Sequence, residues 1–387
     1  MSAERPAAVD LLAATRVLID TVVLPGVAEW DREDRLPDEV WERIAELGIP
    51  GALVPAAYGG PGLAVAELVP VWRTLSQGWI SLTGAVNPTG LATTLLLRHG
   101  TEEQRARWLP RFADGSALAS FSITEPQAGS DLGRLETSAA PRAGGGLTLD
   151  GRKRWVAGGA SSEVVFMMLQ VEGSDRPSCV VLPADGRGSE TWRVEDLDKI
   201  GYRGVESAAY VFAGHAAPGA EILGGDKHGL GLGARQMLDA LEVGRVNVAC
   251  RALGIVDRAL ACAIREAVGR EIGDGVLGDH THAQVRLGEL RARLIACEAV
   301  VARAAAAIDH DLPDKGDVAT AAKIVCSDAA VWAVDVAARL AASRSYTADA
   351  ELARLRRDAP QTQIGEGAND ALLMALARGA LQALSRR

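Results

Sequence analysis

Apolar residues near the N-terminus recur at the spacing of an α-helix. Four of them share one helical face: Leu11, Ala14, Leu18 and Val22. A second helix is predicted to begin at Pro37-Asp38 and to stop at Gly48, because proline suits the first helical turn and glycine suits the residue that ends a helix. The pattern therefore predicts that residues 8–115 are mostly helical.

From about residue 118 to residue 225 short β-branched runs replace the helical period. Residues 164–166 and 179–182 are such runs, and clusters of Gly, Asp and Pro separate them. This alternation is typical of strands joined by turns. Three consecutive glycines, at 144–146, are expected to form a hairpin turn. The middle of the chain therefore predicts a small β-domain.

After residue 228 the helical period returns. Two apolar sets follow steps of three and four, as on the packed faces of a helical bundle: Leu253, Val256, Leu260 and Ile264, then Leu287, Leu290, Leu294, Cys297 and Val301. Residues 313–316 break one helix from the next. The chain is thus predicted to have an α+β fold with an N-terminal helical domain (1–117), a central β-domain (118–227) and a C-terminal helical bundle (228–387).

Composition limits the binding partners and the cellular location that are expected for this protein. The net charge of −9 argues against nucleic acid or an anionic membrane surface as the main partner. Five scattered cysteines form no CxxC pair, which favours buried thiols in a reducing cytoplasm over a disulfide framework. Charged residues interrupt the N-terminal apolar stretch, and no run approaches the roughly 18 apolar residues of a membrane span. We predict a cytoplasmic protein without a membrane span.

Two stretches resemble ligand sites but lack the required context. Residues 229–233 alternate Gly and Leu without the spacing or the preceding strand of a dinucleotide loop, so a turn before a helix is predicted. His280 and His282 have no cysteine or carboxylate partner at a recognised spacing. No metal site is predicted.

Residues 121–131 form the first stretch that suggests chemistry, with the sequence FSITEPQAGSD. Its Gly- and Ser-containing turn exposes N–H groups and a hydroxyl that can hold a phosphate or a flavin edge. Taken alone, such a turn more often merely ends a strand. The segment resembles the TEPxAGSD stretch of the acyl-CoA dehydrogenases, and further matches follow in the family's order: residues 53–55, 58–63, 100–104, 108–110, 149–155, 201–204, 357–359 and 363–367.

The resemblance implies a fold and a cofactor. Family members have a helical domain, a β-barrel-like domain and a four-helix bundle, form dimers or tetramers, and bind FAD at a subunit interface. By resemblance, the residues expected near FAD are Phe121, Ile123, Thr124, Gly129, Ser130, Trp155, Ala157, Arg270, Gln284 and Ala368. Those expected near the substrate are Ser130, Arg245, Gly365 and Gly367. Without this context, Trp155 is equally well an ordinary core aromatic.

Glu366 takes the place of the family's catalytic base. A glutamate flanked by glycines is usually a solvated loop residue, but its position in the matched segment 363–370 favours a carboxylate that removes the α-proton of an acyl thioester. Some members carry the base immediately before the arginine that aligns with Arg245. Here that position is Gly244, and Glu242 lies on a different helical face, so Glu366 is the predicted base.

The sequence departs from the family pattern in four stretches, the last of which comprises residues 365–368. Ala157 replaces a Thr or Ser whose hydroxyl reaches flavin N5. Gly273-Asp274 replaces a Phe-Gly pair, residues 342–345 replace a glycine-rich stretch, and Ala368 replaces a Thr. Gly365 replaces a bulky residue before the base, which favours a larger or branched acyl chain. The altered stretches at 273–274 and 342–345 fall where one subunit contacts its neighbour's FAD.

The predicted function is FAD-dependent α,β-dehydrogenation of an acyl thioester. The acyl group is carried by coenzyme A or by an acyl carrier protein of secondary metabolism, and electrons pass to an acceptor flavoprotein or to oxygen. A homodimer or homotetramer is expected. Two alternatives stay open: a flavin oxidase or monooxygenase, which Ala157 favours, and a catalytically weak or FAD-free relative that acts as a binding partner, which the altered interface stretches favour.

Overall fold

A computed structural model describes residues 8–385, with side-chain detail for residues 10–382. The extreme ends of the predicted first and last domains, residues 1–7 and 386–387, lie outside the described part. In the N-terminal region the α-helices are α1 (Ala8–Leu18), α2 (Leu24–Glu33), α3 (Asp38–Glu46), α4 (Val65–Gly78), α5 (Ile80–His99) and α6 (Glu102–Ala113). A π-helical segment, Ile19–Val23, joins α1 to α2. The prediction of a helical N-terminal region is confirmed.

The middle of the chain is a β-sheet. Its strands are β1 (Ala119–Ser122), β2 (Ser138–Pro141), β3 (Leu147–Ala157), β4 (Val164–Val171), β5 (Ser178–Pro183), β6 (Trp192–Asp196), β7 (Ser207–Ala217) and β8 (Glu221–Ile222). They lie in the order β6-β7-β3-β2-β4-β5-β8, and β1 pairs with β4 in parallel. Gly144, Gly145 and Gly146 all have positive φ and turn the chain from β2 into β3, as expected.

The C-terminal region is again helical. A short hairpin, β9 (Glu271–Ile272) with β10 (Gly275–Val276), separates its first two long helices. The helices are α7 (Gly225–Gly229), α8 (Gly233–Gly269), α9 (Thr281–Asp309), α10 (Lys315–Ala341), α11 (Glu351–Ile364) and α12 (Asn369–Ser385). Leu290, Leu294, Cys297 and Val301 are buried as predicted. Ile264 is 44% exposed, so the predicted face of α8 is wrong there, because the buried stripe runs instead through Ala259, Cys262, Ala263 and Ala267.

The three regions share their cores. Helices α4 and α5 pack against α8, so one apolar core runs from the N-terminal helices into the C-terminal bundle. A second core joins α5 and α6 to the sheet. The α+β class, with a middle sheet between two helical regions, is confirmed, and this sharing places α5, α8 and the segment after α11 next to one another.

Two of the described helical stretches are long and apolar enough to cross a membrane by length and composition alone. They are Asp10–Glu33 and Ile80–His99. The second has 83% of its apolar window buried inside the fold, as expected of a core helix, whereas the first has 33%. The absence of a membrane span therefore stays a prediction.

Candidate active site

Glu366 lies in the turn that joins α11 to α12. Its backbone φ is 55°, in the left-handed region, and the φ of Gly367 is 102°. A left-handed residue other than glycine is uncommon and is kept only where its surroundings fix it. Gly365 ends α11, where its N–H donates to the carbonyl of Gln361 over 2.9 Å. Because of this turn, Glu366 lies outside α11 and its side chain points towards α5 and α8.

The Glu366 carboxylate meets two helices. Asn87 of α5, itself buried, donates its Nδ2–H to Glu366 Oε1 over 2.7 Å. On α8, a Cβ added to Gly244 would lie 3.3 Å from Glu366 Cδ. Gly244 therefore leaves the space that the carboxylate fills. The resemblance places a base at position 244 or at position 366. These two positions are adjacent in the structure, and only position 366 has a carboxylate.

Arg245, next on α8, is only 9% exposed and faces the same turn. Its Nε–H points to the carbonyl of Glu366 at 3.5 Å, and its Nη1 donates to Thr320 Oγ1 over 3.0 Å. Burial lowers the pKa of Arg245, while the carboxylates of Glu366 and Glu242 oppose that shift. Arg245 therefore supplies positive charge beside Glu366.

Glu242, the second acidic residue of this region, interacts with two basic residues rather than with the turn of Glu366. Its Oε2 accepts a hydrogen bond from Arg98 over 2.9 Å and lies 3.6 Å from Lys315 Nζ. This arrangement agrees with the prediction that Glu242 lies on a different face of α8 from Gly244. Glu366 is the carboxylate that the structure places beside Gly244.

The segment 121–131 and strand β3 form a second candidate surface. Arg154 N–H donates to the carbonyl of Thr124 over 2.8 Å, which joins the segment to the strand. Beneath it, Lys153 and Glu125 form an ion pair of 2.7 Å whose side chains are 0% and 1% exposed. Lys153 also donates to the carbonyl of Ile123 over 3.1 Å. Burial lowers the pKa of Lys153 to about 8, against the pull of Glu125.

Trp155 stands on this surface with 52% of its area exposed and a φ of 63°. The core-aromatic alternative is wrong for Trp155, since its indole is not packed in the interior. An exposed indole beside a rigid backbone segment is a suitable platform for a flat aromatic ring. The residues of this surface therefore fit the isoalloxazine of FAD.

The other flavin candidates of the β-domain lie in β1, β3 and the segment 121–131. Phe121 pairs with Phe166 across β1 and β4, and is half-buried. The carbonyl of Ala157 accepts a hydrogen bond from Ser120 Oγ over 3.0 Å. Gly129 and Ser130 are exposed, and a Cβ on Gly129 would meet no atom within 4 Å. Gly129 and Ser130 of the predicted turn thus lie on the surface rather than in the core.

Arg270 and Gln284 lie far from Glu366. Arg270 follows the last residue of α8, about 37 Å along the helix axis from Arg245 at 1.5 Å per residue. Its Nη1 donates to the carbonyl of Leu340 over 3.1 Å, and Gln284 Nε2 donates to that of Gly278 over 3.0 Å. Arg270 therefore lies beside the altered stretch 342–345. Ala368, by contrast, belongs to the turn of Glu366.

Sequence reasoning missed two residues that contact Glu366 or its turn, Asn87 and Lys323. Asn87 is the one amide among the buried residues of helix α5. Lys323 is fully buried, and its Nζ donates to two carbonyls of the turn. An amide or ammonium among the small and apolar residues of a helix is the signal that marks both. No group of three or more metal-ligating side chains occurs within the described residues.

Family models match the chain along most of its length. The N-terminal domain of the acyl-CoA dehydrogenases matches residues 6–116, the middle domain residues 120–214 and the C-terminal domain residues 231–381. The chain belongs to the acyl-CoA dehydrogenase family. Membership makes it an oxidoreductase that acts on the CH–CH group of acyl thioesters, and FAD is its cofactor.

Similar proteins come from both sequence and structure. Mitochondrial isobutyryl-CoA dehydrogenase of Bos taurus is 28% identical, over 92% of this chain and 85% of its own. Butyryl-CoA dehydrogenase of Megasphaera elsdenii superposes with a TM-score of 0.91 at 25% identity, over 98% and 100% of the two chains. FkbI, a protein for biosynthesis of the methoxymalonyl extender unit of a polyketide immunosuppressant, is 28% identical with a TM-score of 0.82, over 95% and 99%.

Proposed function

We propose that this acyl-CoA dehydrogenase oxidises the Cα–Cβ bond of its acyl thioester with Glu366 as the base. The observation that carries the proposal is the packing of the Glu366 carboxylate against Gly244, with Asn87 holding one of its oxygens. Both family positions for the base converge there, and Glu366 supplies the acid.

The chemistry follows from the acidity of the α-carbon. A thioester α-proton is weakly acidic, and removing it develops negative charge on the thioester oxygen. The N–H of the residue that carries the base is a donor suited to that oxygen, since preorganised donors stabilise developing charge. Bound FAD would supply the acceptor for the hydride that leaves the β-carbon. The proton passes to Glu366, and the product is an α,β-unsaturated thioester.

FAD binding is proposed to involve two chains. Phe121, Ile123, Thr124, Trp155 and Ala157 would hold the ring, and the exposed Gly129 and Ser130 would also contact the cofactor. Arg270, which follows the end of α8, and Gln284, in the first turn of α9, would then serve the cofactor of a neighbouring subunit, because a guanidinium suits a pyrophosphate. Arg270→Ala is expected to weaken FAD binding. A strictly monomeric protein that still holds FAD tightly would contradict this arrangement.

The acyl group is proposed to be larger or branched. Gly365 has no side chain, and a Cβ there would meet the amide nitrogen of Gln361 at 2.7 Å. The similarity to an isobutyryl-CoA dehydrogenase supports a branched chain, and the similarity to FkbI supports a role in secondary metabolism. Screening acyl-CoA and acyl-carrier thioesters for anaerobic bleaching of the flavin distinguishes the two carriers.

The test of the base is Glu366→Gln, with Glu242→Gln as the matched control. Glutamine keeps the shape and accepts from Asn87 but removes no proton. Anaerobic flavin reduction is expected to fall at least about a hundredfold in Glu366→Gln, in the range of general-base catalysis, with FAD content unchanged. Glu242→Gln should keep most of the rate. Near-normal reduction by Glu366→Gln would overturn the assignment.

The electron acceptor separates a dehydrogenase from an oxidase. Ala157 has no hydroxyl, and its carbonyl already accepts a hydrogen bond from Ser120 Oγ. We propose an acceptor flavoprotein, with the oxidase as the second candidate. Ala157→Thr is expected to alter the reaction of the reduced flavin with oxygen by roughly tenfold at most, since one hydrogen bond contributes on the order of 1 kcal/mol. Stopped-flow reoxidation of wild type and variant measures the difference.

A further inference from the structure

Lys323 is a fully buried lysine of α10 whose ammonium has three oxygen acceptors. Its Nζ donates to the carbonyl of Gln363 over 2.9 Å, to the carbonyl of Gly367 over 2.7 Å and to Asn369 Oδ1 over 2.7 Å. An ammonium has three N–H donors, so each has one acceptor. Charge-assisted hydrogen bonds of this length are among the stronger ones in proteins.

The three acceptors flank Glu366 on both sides. Gln363 belongs to the last turn of α11, where carbonyls lack partners within the helix. Gly367 follows Glu366 directly, and Asn369 begins α12. One ammonium thus ties together the end of one helix, the turn and the start of the next. This clamp accounts for the left-handed backbone of Glu366, which needs fixed surroundings to persist.

A second set of contacts on α10 holds the acceptors in place. Asn369 Nδ2 donates to Ser327 Oγ over 3.0 Å and to Asp328 Oδ1 over 2.9 Å. Gln363 Nε2 donates to Asp328 Oδ1 over 2.7 Å. The turn is therefore bound to one face of α10, and Lys323 is the innermost of these contacts.

Charge reinforces this geometry. Burial lowers the pKa of Lys323 to about 8, and the negative charge of Glu366 is the first influence that opposes the shift. The positive charge of Arg245 also lowers the pKa of Lys323, and the negative charge of Asp328 raises it. The ammonium therefore lies in the field of the base that it surrounds.

We propose that Lys323 is a positioning residue for the base: it closes the turn of residues 363–369 and so fixes the direction of the Glu366 carboxylate. The catalytic consequence rests on the proposed function, whereas the closure of the turn does not. Lys323 does not contact the reacting atoms, and its effect passes through the backbone of Glu366.

The experiment has two arms on the purified FAD-loaded protein. Hydrogen exchange of the peptide spanning residues 360–372 reports closure of the turn, independent of any substrate. Anaerobic flavin reduction by the best acyl-CoA of the screen reports positioning of the base. In Lys323→Ala, exchange in this peptide is expected to accelerate at least about tenfold, and reduction to slow about 10- to 100-fold, the range for a misplaced catalytic group.

Rescue identifies the ammonium as the cause. Alanine leaves a space with the shape of n-propylammonium, so added n-propylammonium should restore both readouts severalfold, and neutral 1-propanol should not. Lys323→Met, which keeps the apolar stem, is measured alongside in case the alanine variant does not fold. Ala330→Gly is the matched control, because it weakens the interior of the same helix but removes none of the hydrogen bonds to residues 363–369.

The outcomes separate the two claims. Exchange and reduction within twofold of wild type in a folded variant would overturn the role of Lys323, as would equal rescue by 1-propanol or an equal loss in Ala330→Gly. If no thioester bleaches the wild-type flavin, the proposed function fails, while the exchange arm still decides whether Lys323 closes the turn.

Discussion

Gly244 and Glu366 share one space. A methyl group on Gly244 would lie 3.3 Å from Cδ of Glu366 and 3.0 Å from Cδ2 of Leu91, both tighter than ordinary carbon contacts. The absent side chain of one residue is therefore what admits the carboxylate of the other. Since the helix and the turn meet only in the folded chain, the sequence alone does not reveal this relationship.

Gly244→Ala is the first prediction. The added methyl group should displace the Glu366 carboxylate by a few tenths of an ångström, and flavin reduction should slow about tenfold, because rates fall steeply with misplacement of a catalytic group. FAD content should not change. The control is Gly288→Ala in α9, where a Cβ meets no atom within 4 Å, so stability should rise slightly and the rate should be normal. Equal rates in both variants would contradict the shared space.

Asn87→Leu is the second prediction. Leucine fills a similar volume but leaves Glu366 Oε1 without the donor that now lies at 2.7 Å. The carboxylate should then sample more orientations, and the reduction rate should fall severalfold to about tenfold. Thr94→Val, on the same helix, removes only a hydroxyl that donates to the carbonyl of Gly90. Single-turnover reduction of the two variants distinguishes orientation of the base from loosening of α5.

Much of the fold was predictable because its signals are local. The periodicity of Leu290, Leu294, Cys297 and Val301 gave the buried face of α9, and the three glycines at 144–146 gave the hairpin. The error at Ile264 has a simple cause. On a long helix whose partners change along its length, the buried stripe shifts, and a regular step of three or four soon points to solvent.

The candidate site was predictable only in part. Glu366, Trp155 and Arg245 were reached through matched motifs, whereas Asn87 and Lys323 were not, because their function depends on contacts distant in sequence. One signal was available. Lysine is rare in this arginine-rich chain, and Lys153 and Lys323, two of its five lysines, are 0% exposed. A compact ammonium with three donors suits a closed ring of oxygens better than a planar guanidinium.

The third prediction concerns pH. Asp358 is fully buried, and burial raises its pKa from 3.8 to about 6 although Arg354 and the N–H of Tyr202 oppose the shift. The folded state therefore binds more protons than the unfolded state between these values, so this contribution to stability is present at low pH and is lost as pH rises through about 6.

Asp358→Asn removes this titration, and the amide oxygen can still accept from Tyr202 N–H, which now donates over 2.7 Å. Between pH 5 and pH 7.5 the variant should gain on the order of 1 kcal/mol in free energy of unfolding relative to wild type. Chemical denaturation at the two pH values measures it. Asp20→Asn, at an exposed position, should show no such change, and parallel pH profiles of Asp358→Asn and wild type would refute the assignment.

The last prediction concerns Ala342, which ends α10 with φ 51° and ψ −129°. Glycine favours this conformation, as at the first central position of a type II′ turn. Ser345 Oγ fixes it by donating to the carbonyls of Ala342 and Ala338 over 2.8 and 3.1 Å. Strain of this kind costs about 1–3 kcal/mol, and the added chain entropy of glycine costs about 0.4–1 kcal/mol. Ala342→Gly should therefore raise Tm by roughly 1–3 °C, whereas Ala353→Gly, inside α11, should lower it. A similar fall in Tm for both variants, measured by scanning calorimetry, would show that Ala342 is not strained.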